Sequence, residues 1–213
     1  MNNKLYGVKQ AMMVSGLLLA CFLALHLCFN LTVLCGEAIY NDAFRYMNTH
    51  PVLQLAVTLF GLGFIVHILL AFFISAKGFY ATPEKDRGEK RNWLNMLIPG
   101  IIVLGFVAMH LANFWQKTRL QLLFGGTGEE SPYLLVANLF RQPFYVAIYL
   151  IWIAALWYHL SYGFWTLLQS IPSRKKEAPG RFRVLKWAAI GFSTVIAVGF
   201  AVIPLWFGLG FDK

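Results

Sequence analysis

Five stretches of this chain, 10–36, 46–76, 92–116, 142–173 and 187–211, contain no Asp, Glu, Lys or Arg. Each is longer than the roughly 20 residues an apolar helix needs to cross the hydrocarbon core of a bilayer. With only 13% charged side chains against 59% hydrophobic ones, the chain has too little polar material to coat a water-soluble globule. A soluble enzyme, a disulfide-stapled secreted domain and a disordered chain are thereby excluded. The runs also lack the apolar–polar alternation of barrel strands, which argues against a membrane β-barrel. Cysteine is equally scarce. Cys21, Cys28 and Cys35 are the only three, with no Cys-x-x-Cys and hence no zinc or iron–sulfur signature. Their spacing of seven returns to nearly one helical face, where they read as small packing residues.

Acidic residues number 9 against 18 Lys and Arg, and the net charge is +9. Its distribution points to topology rather than to nucleic acid. Five spans place loops on alternating sides, so an inner N-terminus puts Lys4, Lys9 and the basic loops 77–91 and 174–186 on one face. That face holds 13 of the 18 Lys and Arg, which by the positive-inside rule makes it cytoplasmic and puts the C-terminus outside. The first apolar run is too long for a cleavable signal peptide and is read as the first helix. The expected fold is an all-α integral membrane protein. It is a single membrane domain, 1–213, with five transmembrane helices near 11–34, 54–76, 94–116, 143–170 and 187–210. The outer segment 35–53 reads as short and mixed. The outer segment 117–142 includes Gly125-Gly126-Thr127-Gly128 and apolar stretches expected along the interface, while Pro83, Pro172 and Pro179 read as helix stoppers in the inner loops. Trp93, Trp115 and Trp206 fall near span ends, where amphipathic rings settle at the headgroups.

Four histidines stand inside these spans, one on each of the first four helices, and intramembrane ionisable residues are usually functional. His26-Leu27 is echoed 84 residues later by His110-Leu111, each with a phenylalanine four residues before it, Phe22 and Phe106, and an asparagine a turn after, Asn30 and Asn113. In the same way His67, with Ala71, Phe72 and Phe73, is echoed 92 residues later by His159, with Gly163, Phe164 and Trp165. Helices one and two thus form a unit repeated in parallel by helices three and four. At 1.5 Å per residue, His26 and His110 lie roughly 22–24 Å from the inner ends of their helices, and His67 and His159 roughly 14–17 Å. Two neutral imidazoles at equal depth can supply both axial ligands of one haem iron, so the pattern predicts an outer haem on His26 and His110 and an inner haem on His67 and His159. Gly63 and Gly163 would clear space for porphyrin a turn from the inner ligands, with Phe22 and Phe106 packing against the outer one. Ser161 or a carbonyl would accept the remaining ring N–H. His50 lies in an outer loop and reads as a surface residue. The alternative is a haem-free transporter or assembly protein whose histidines relay protons or bond to backbone.

Five helices in about 210 residues, histidines on helices one to four, and the run Tyr158-His159-Leu160-Ser161-Tyr162-Gly163-Phe164-Trp165 closely resemble the dihaem cytochrome b membrane-anchor subunit of succinate dehydrogenases and menaquinol:fumarate reductases. The resemblance spans nearly the whole chain. It implies two haems b with the same histidine pairing, electron transfer to or from menaquinone, and a bacterial cytoplasmic membrane. It also implies iron–sulfur and FAD-bearing flavoprotein subunits docked on the cytoplasmic face, which carry the dicarboxylate chemistry, and dimerisation of the whole complex. Arg141, at the outer start of helix four, is a candidate partner for an outer haem propionate. Glu37 and Asp42 are candidate quinone-site proton acceptors. Some fumarate reductases of this family carry a glutamate near the outer start of helix two, where this chain has Asn48 or Thr49, and another at the position of Trp157. The five-helix cytochrome b of respiratory nitrate reductase is the nearest other likeness, but it concentrates its ligands on two helices.

Overall fold

The computed structural model describes residues 3–81, 94–120, 131–169 and 179–212. These form seven α-helices: α1 Asn3–Leu31, α2 Glu37–Thr49, α3 Pro51–Ala81, α4 Leu94–His110, α5 Pro132–Phe140, α6 Pro143–Gln169 and α7 Pro179–Gly208. Four of them, α3, α5, α6 and α7, begin on a proline, whose missing N–H costs nothing in a first turn and whose fixed φ already suits a helix. Segments of α1, α3, α6 and α7, and α4 with its continuation, are long and apolar enough to cross a bilayer. The chain is an all-α, multi-pass membrane protein.

Each of the five expected spans corresponds to a helix, but α1, α3 and α7 run well past the charge-free limits. Their polar end turns satisfy backbone bonds within the helix itself, so a helix need not stop where the hydrocarbon does. Pro179, expected as a stopper in a loop, instead opens α7. Pro83, Pro172, Trp93 and the glycine-rich 125–128 lie outside the described residues. Beyond His110 the helix widens into a π-helical stretch, Leu111–Leu120, a departure that the apolar pattern does not signal. Pro99 sits inside α4, where it has no N–H to offer the preceding turn.

The larger surprise lies between the spans. Segment 35–53 contains α2, which turns off the end of α1 through a 3₁₀ turn, Thr32–Cys35, and Gly36 at φ 105°, a left-handed backbone that favours glycine. Segment 117–142 contains α5, capped by Ser131, whose Oγ accepts from the Leu134 N–H, with Pro132 at the first position. The two short helices pack together and cap one end of the bundle. Beneath them lies a buried core of Val33, Tyr40, Val136, Ala137, Phe140, Tyr149, Ile203 and Phe207. The apolar face of α5 is therefore spent inside the protein rather than along the membrane interface.

The spans divide into two pairs. α1 packs along α3, and α4 along α6, while direct packing between the pairs is sparse. α7 joins them by lying along both α6 and α1. Its approach to α1 depends on Gly199: a Cβ there would stand 2.7 and 2.9 Å from the two methyls of Leu27, a residue only 6% exposed. Both methyls and Cγ of Leu27 are in the way, so a turn about its last side-chain bond alone does not clear them. Gly199→Val should therefore lower stability by about 1–3 kcal/mol through overpacking. Thermal unfolding in detergent checks this, and adding Leu27→Ala should recover most of the loss.

Candidate functional site

The four span histidines meet in two pairs across the sparse interface between the halves. The rings of His26 on α1 and His110 at the end of α4 have centroids 5.8 Å apart and planes at 83°. Those of His67 on α3 and His159 on α6 are 6.4 Å apart at 78°. An imidazole centroid lies roughly 1.1 Å from its ring nitrogen and a metal–imidazole bond is roughly 2.0–2.1 Å, so two rings sharing one metal have centroids roughly 6.2–6.4 Å apart. One pair stands at that spacing and the other a few tenths of an ångström inside it. Rotation of a ring about a metal–nitrogen bond leaves the bond unchanged, so crossed planes are no obstacle.

The surroundings differ between pairs. Near the capped end, Phe22 stacks on His26 at 5.2 Å and 18°, and His110 lies between Phe106 and Phe114 at 5.5 and 5.0 Å. Sequence spacing put Phe22 and Phe106 beside these histidines; the i, i+4 relation lays each ring on the imidazole itself. Phe106 and Phe114 in turn pack against the buried core under the cap. The repeated asparagines serve different ends: Asn30 bonds the His26 carbonyl at 2.7 Å, and Asn113 donates to the Tyr149 hydroxyl at 3.2 Å.

At the other pair two glycines that sequence reasoning passed over lie beside the imidazoles. A Cβ on Gly16 would touch His67 Cε1 at 3.5 Å, and a Cβ on Gly100 would touch His159 Cε1 at 3.5 Å. The two are 84 residues apart, the same offset that relates His26 to His110. That offset also carries Met12 to Met96, so the signal was present in the sequence. Gly63 and Gly163 face Leu18 and Met96 instead. The partners of the ring nitrogens differ as well. His67 Nδ1 lies 3.0 Å from Ser15 Oγ, whereas Nδ1 of both His110 and His159 is buried with no hydrogen-bond partner among the described residues. Ser161 Oγ is likewise buried and unpartnered, and so does not serve a histidine. Gly16 and Gly100 each sit ten residues from the histidine on their own helix, which sets the two pairs roughly 15 Å apart along the bundle, further than the depths counted from the span ends, because the helices run past those ends.

These features would suit a planar tetrapyrrole held by the paired imidazoles: ring spacing for a shared metal, aromatic walls beside one pair, and little backbone packing between the halves. Orphaned buried nitrogens on His110 and His159 mark polar groups still lacking the bonds that burial demands.

The other sequence candidates lie in the cap. Ser131 Oγ donates to Glu37 Oε1 at 2.8 Å and accepts from Asn41 Nδ2 at 2.9 Å, tying α2 to α5. Arg141 is engaged by Asp212, with Nη2 to Oδ2 at 2.6 Å. Tyr133 is raised by burial and by the Asp212 and Glu37 carboxylates, against the opposing pull of Arg141, so Glu37, Arg141 and Asp212 belong to one cluster. Burial alone pushes the neighbouring Tyr40 phenol up to about 12. Asp42 stands apart, exposed and paired with Arg45 on the surface of α2, where such a pair is worth little. His50, expected at the surface, is half-buried and stacks beside Tyr46 at the end of α2.

Asp212 has a side chain only 1% exposed, and its second oxygen has no partner, so the Arg141 guanidinium is what offsets the burial of its charge. Arg141→Met should destabilise the capped end by about 1–3 kcal/mol, less than for a fully buried pair because Arg141 is itself half open. Adding Asp212→Leu should restore most of it, as read by hydrogen exchange at the C-terminal end of α7. No protein-family model matches this chain, nor does any curated protein or solved structure.

Proposed function

We propose that this chain is the membrane-anchor cytochrome b subunit of a succinate:quinone oxidoreductase, a succinate dehydrogenase or menaquinol:fumarate reductase, and holds two haems b. The observation that carries the reading is the pairwise meeting of four histidines, at two depths, across a four-helix core. His26 and His110 would hold one haem and His67 and His159 the other. Such a haem would supply a one-electron iron couple, and with two imidazoles holding it would suit electron transfer rather than oxygen binding.

The residues of the chain do the rest. Phe22, Phe106 and Phe114 wall off the outer imidazoles from water, and the buried core beneath α2 and α5 closes that end of the bundle. Glu37, held by Ser131, stands in the cap as a carboxylate able to accept a proton where quinol would be oxidised. On this reading the chain lies in a bacterial cytoplasmic membrane with its N-terminus inside. The basic inner face receives an iron–sulfur subunit, which with a flavoprotein subunit carries FAD, the clusters and the dicarboxylate chemistry.

A reduced-minus-oxidised spectrum of the purified chain should show b-type bands, and haem extraction should give two per chain. Replacing His26 and His110 together by alanine should leave one haem, bound by the other pair. Absence of b-type bands, or two haems surviving in the double variant, would sink the proposal. Among co-purifying proteins, one with iron–sulfur motifs and one with FAD are expected. A molybdopterin protein in their place would favour the nitrate-reductase type instead.

A further inference from the structure

Ser15 is 7% exposed on α1, and its hydroxyl has two neighbours at the same distance: the Met12 carbonyl at 3.0 Å and His67 Nδ1 at 3.0 Å. A serine hydroxyl carries one proton and a carbonyl can only accept, so the proton given to Met12 cannot also be given to the imidazole. With the hydroxyl proton on the Met12 carbonyl, the contact to His67 is a bond in which Nδ1–H donates and Ser15 Oγ accepts. We infer that Ser15 is a positioning residue that holds His67 in the Nδ1–H tautomer and leaves Nε2 as the bare, ligating nitrogen.

The duplicated half makes the point sharper. The 84-residue offset that carries Met12 to Met96 and Gly16 to Gly100 carries Ser15 to Pro99, which has neither a hydroxyl nor a backbone N–H. His159, the ring that Gly100 abuts, has an Nδ1 that is buried and unpartnered. The repeat thus sets a glycine beside both imidazoles of this pair but fixes the proton of only one. A bond from Nδ1–H to an acceptor makes an imidazole a more basic ligand, so the two imidazoles of this pair are inequivalent, and His67 would be the stronger donor to a shared metal. The purpose of the lock rests on the dihaem reading; the lock itself is a property of the chain.

The tautomer is measured on the full-length chain without haem, labelled with nitrogen-15 histidine and assigned with a His67→Gln variant. Nitrogen NMR should place the His67 proton on Nδ1 in the unmodified chain. Ser15→Ala should release it into a mixture of tautomers, and Ser15→Thr, which keeps the hydroxyl, should retain it. A proton on Nε2 in the unmodified chain, or a tautomer unchanged by Ser15→Ala, overturns the inference. Titration with haem gives a second readout: Ser15→Ala should bind at the His67–His159 site roughly tenfold more weakly while the His26–His110 site is unmoved. If the unmodified chain takes up no haem, the dihaem reading falls, and the tautomer measurement still decides the role of Ser15.

Discussion

An imidazole inside a hydrocarbon slab has two nitrogens to satisfy and no water to satisfy them, and this constraint organises the molecule. A buried polar group without a bond costs about 1–3 kcal/mol, and this chain puts four such rings inside spans otherwise free of charge. A lone histidine could be bonded to a neighbouring backbone and forgotten. Here the four are drawn together two by two, each ring meeting another imidazole. The pairs meet where packing between the α1–α3 and α4–α6 halves is sparse.

With the two halves held apart, other parts of the chain must hold them together. α7 does so along the length of the bundle, and it has no counterpart in the repeat because a joint between two copies need exist only once. The cap does so at one end, where the protein spends its densest apolar packing and its hydrogen-bond network from Glu37 through Ser131 to Asn41. Rigidity is therefore concentrated around the histidine pairs rather than between them. That suits electron transfer, for which fixed distances and a dry surrounding matter more than motion.

Much of this was legible in the residues. The five spans follow from where charge is absent, and the pairing of His26 with His110 and of His67 with His159 follows from depth and repeat. What escaped did so for identifiable reasons. α2 and α5 are short helices whose apolar residues find partners only in the assembled cap, so their packing has no local signature beyond a serine before a proline at the start of α5. Gly16 and Gly100 serve histidines on other helices, and reading along one helix at a time pointed to Gly63 and Gly163 instead. Arg141 looked free because its partner, Asp212, lies 71 residues away in the chain.

The ten-residue interval between Gly16 and His26, repeated between Gly100 and His110, has a consequence for symmetry. Ten residues at 3.6 per turn come to rest roughly 80° short of three full turns, so each helix offers its glycine and its histidine from faces about a quarter-turn apart. α1 and α4 are thus each a post for one compartment and a wall for the next, and the two compartments succeed one another like treads of a spiral stair. Neither can be rebuilt alone: any twist of α1 that reshapes one tread moves the other by the same angle.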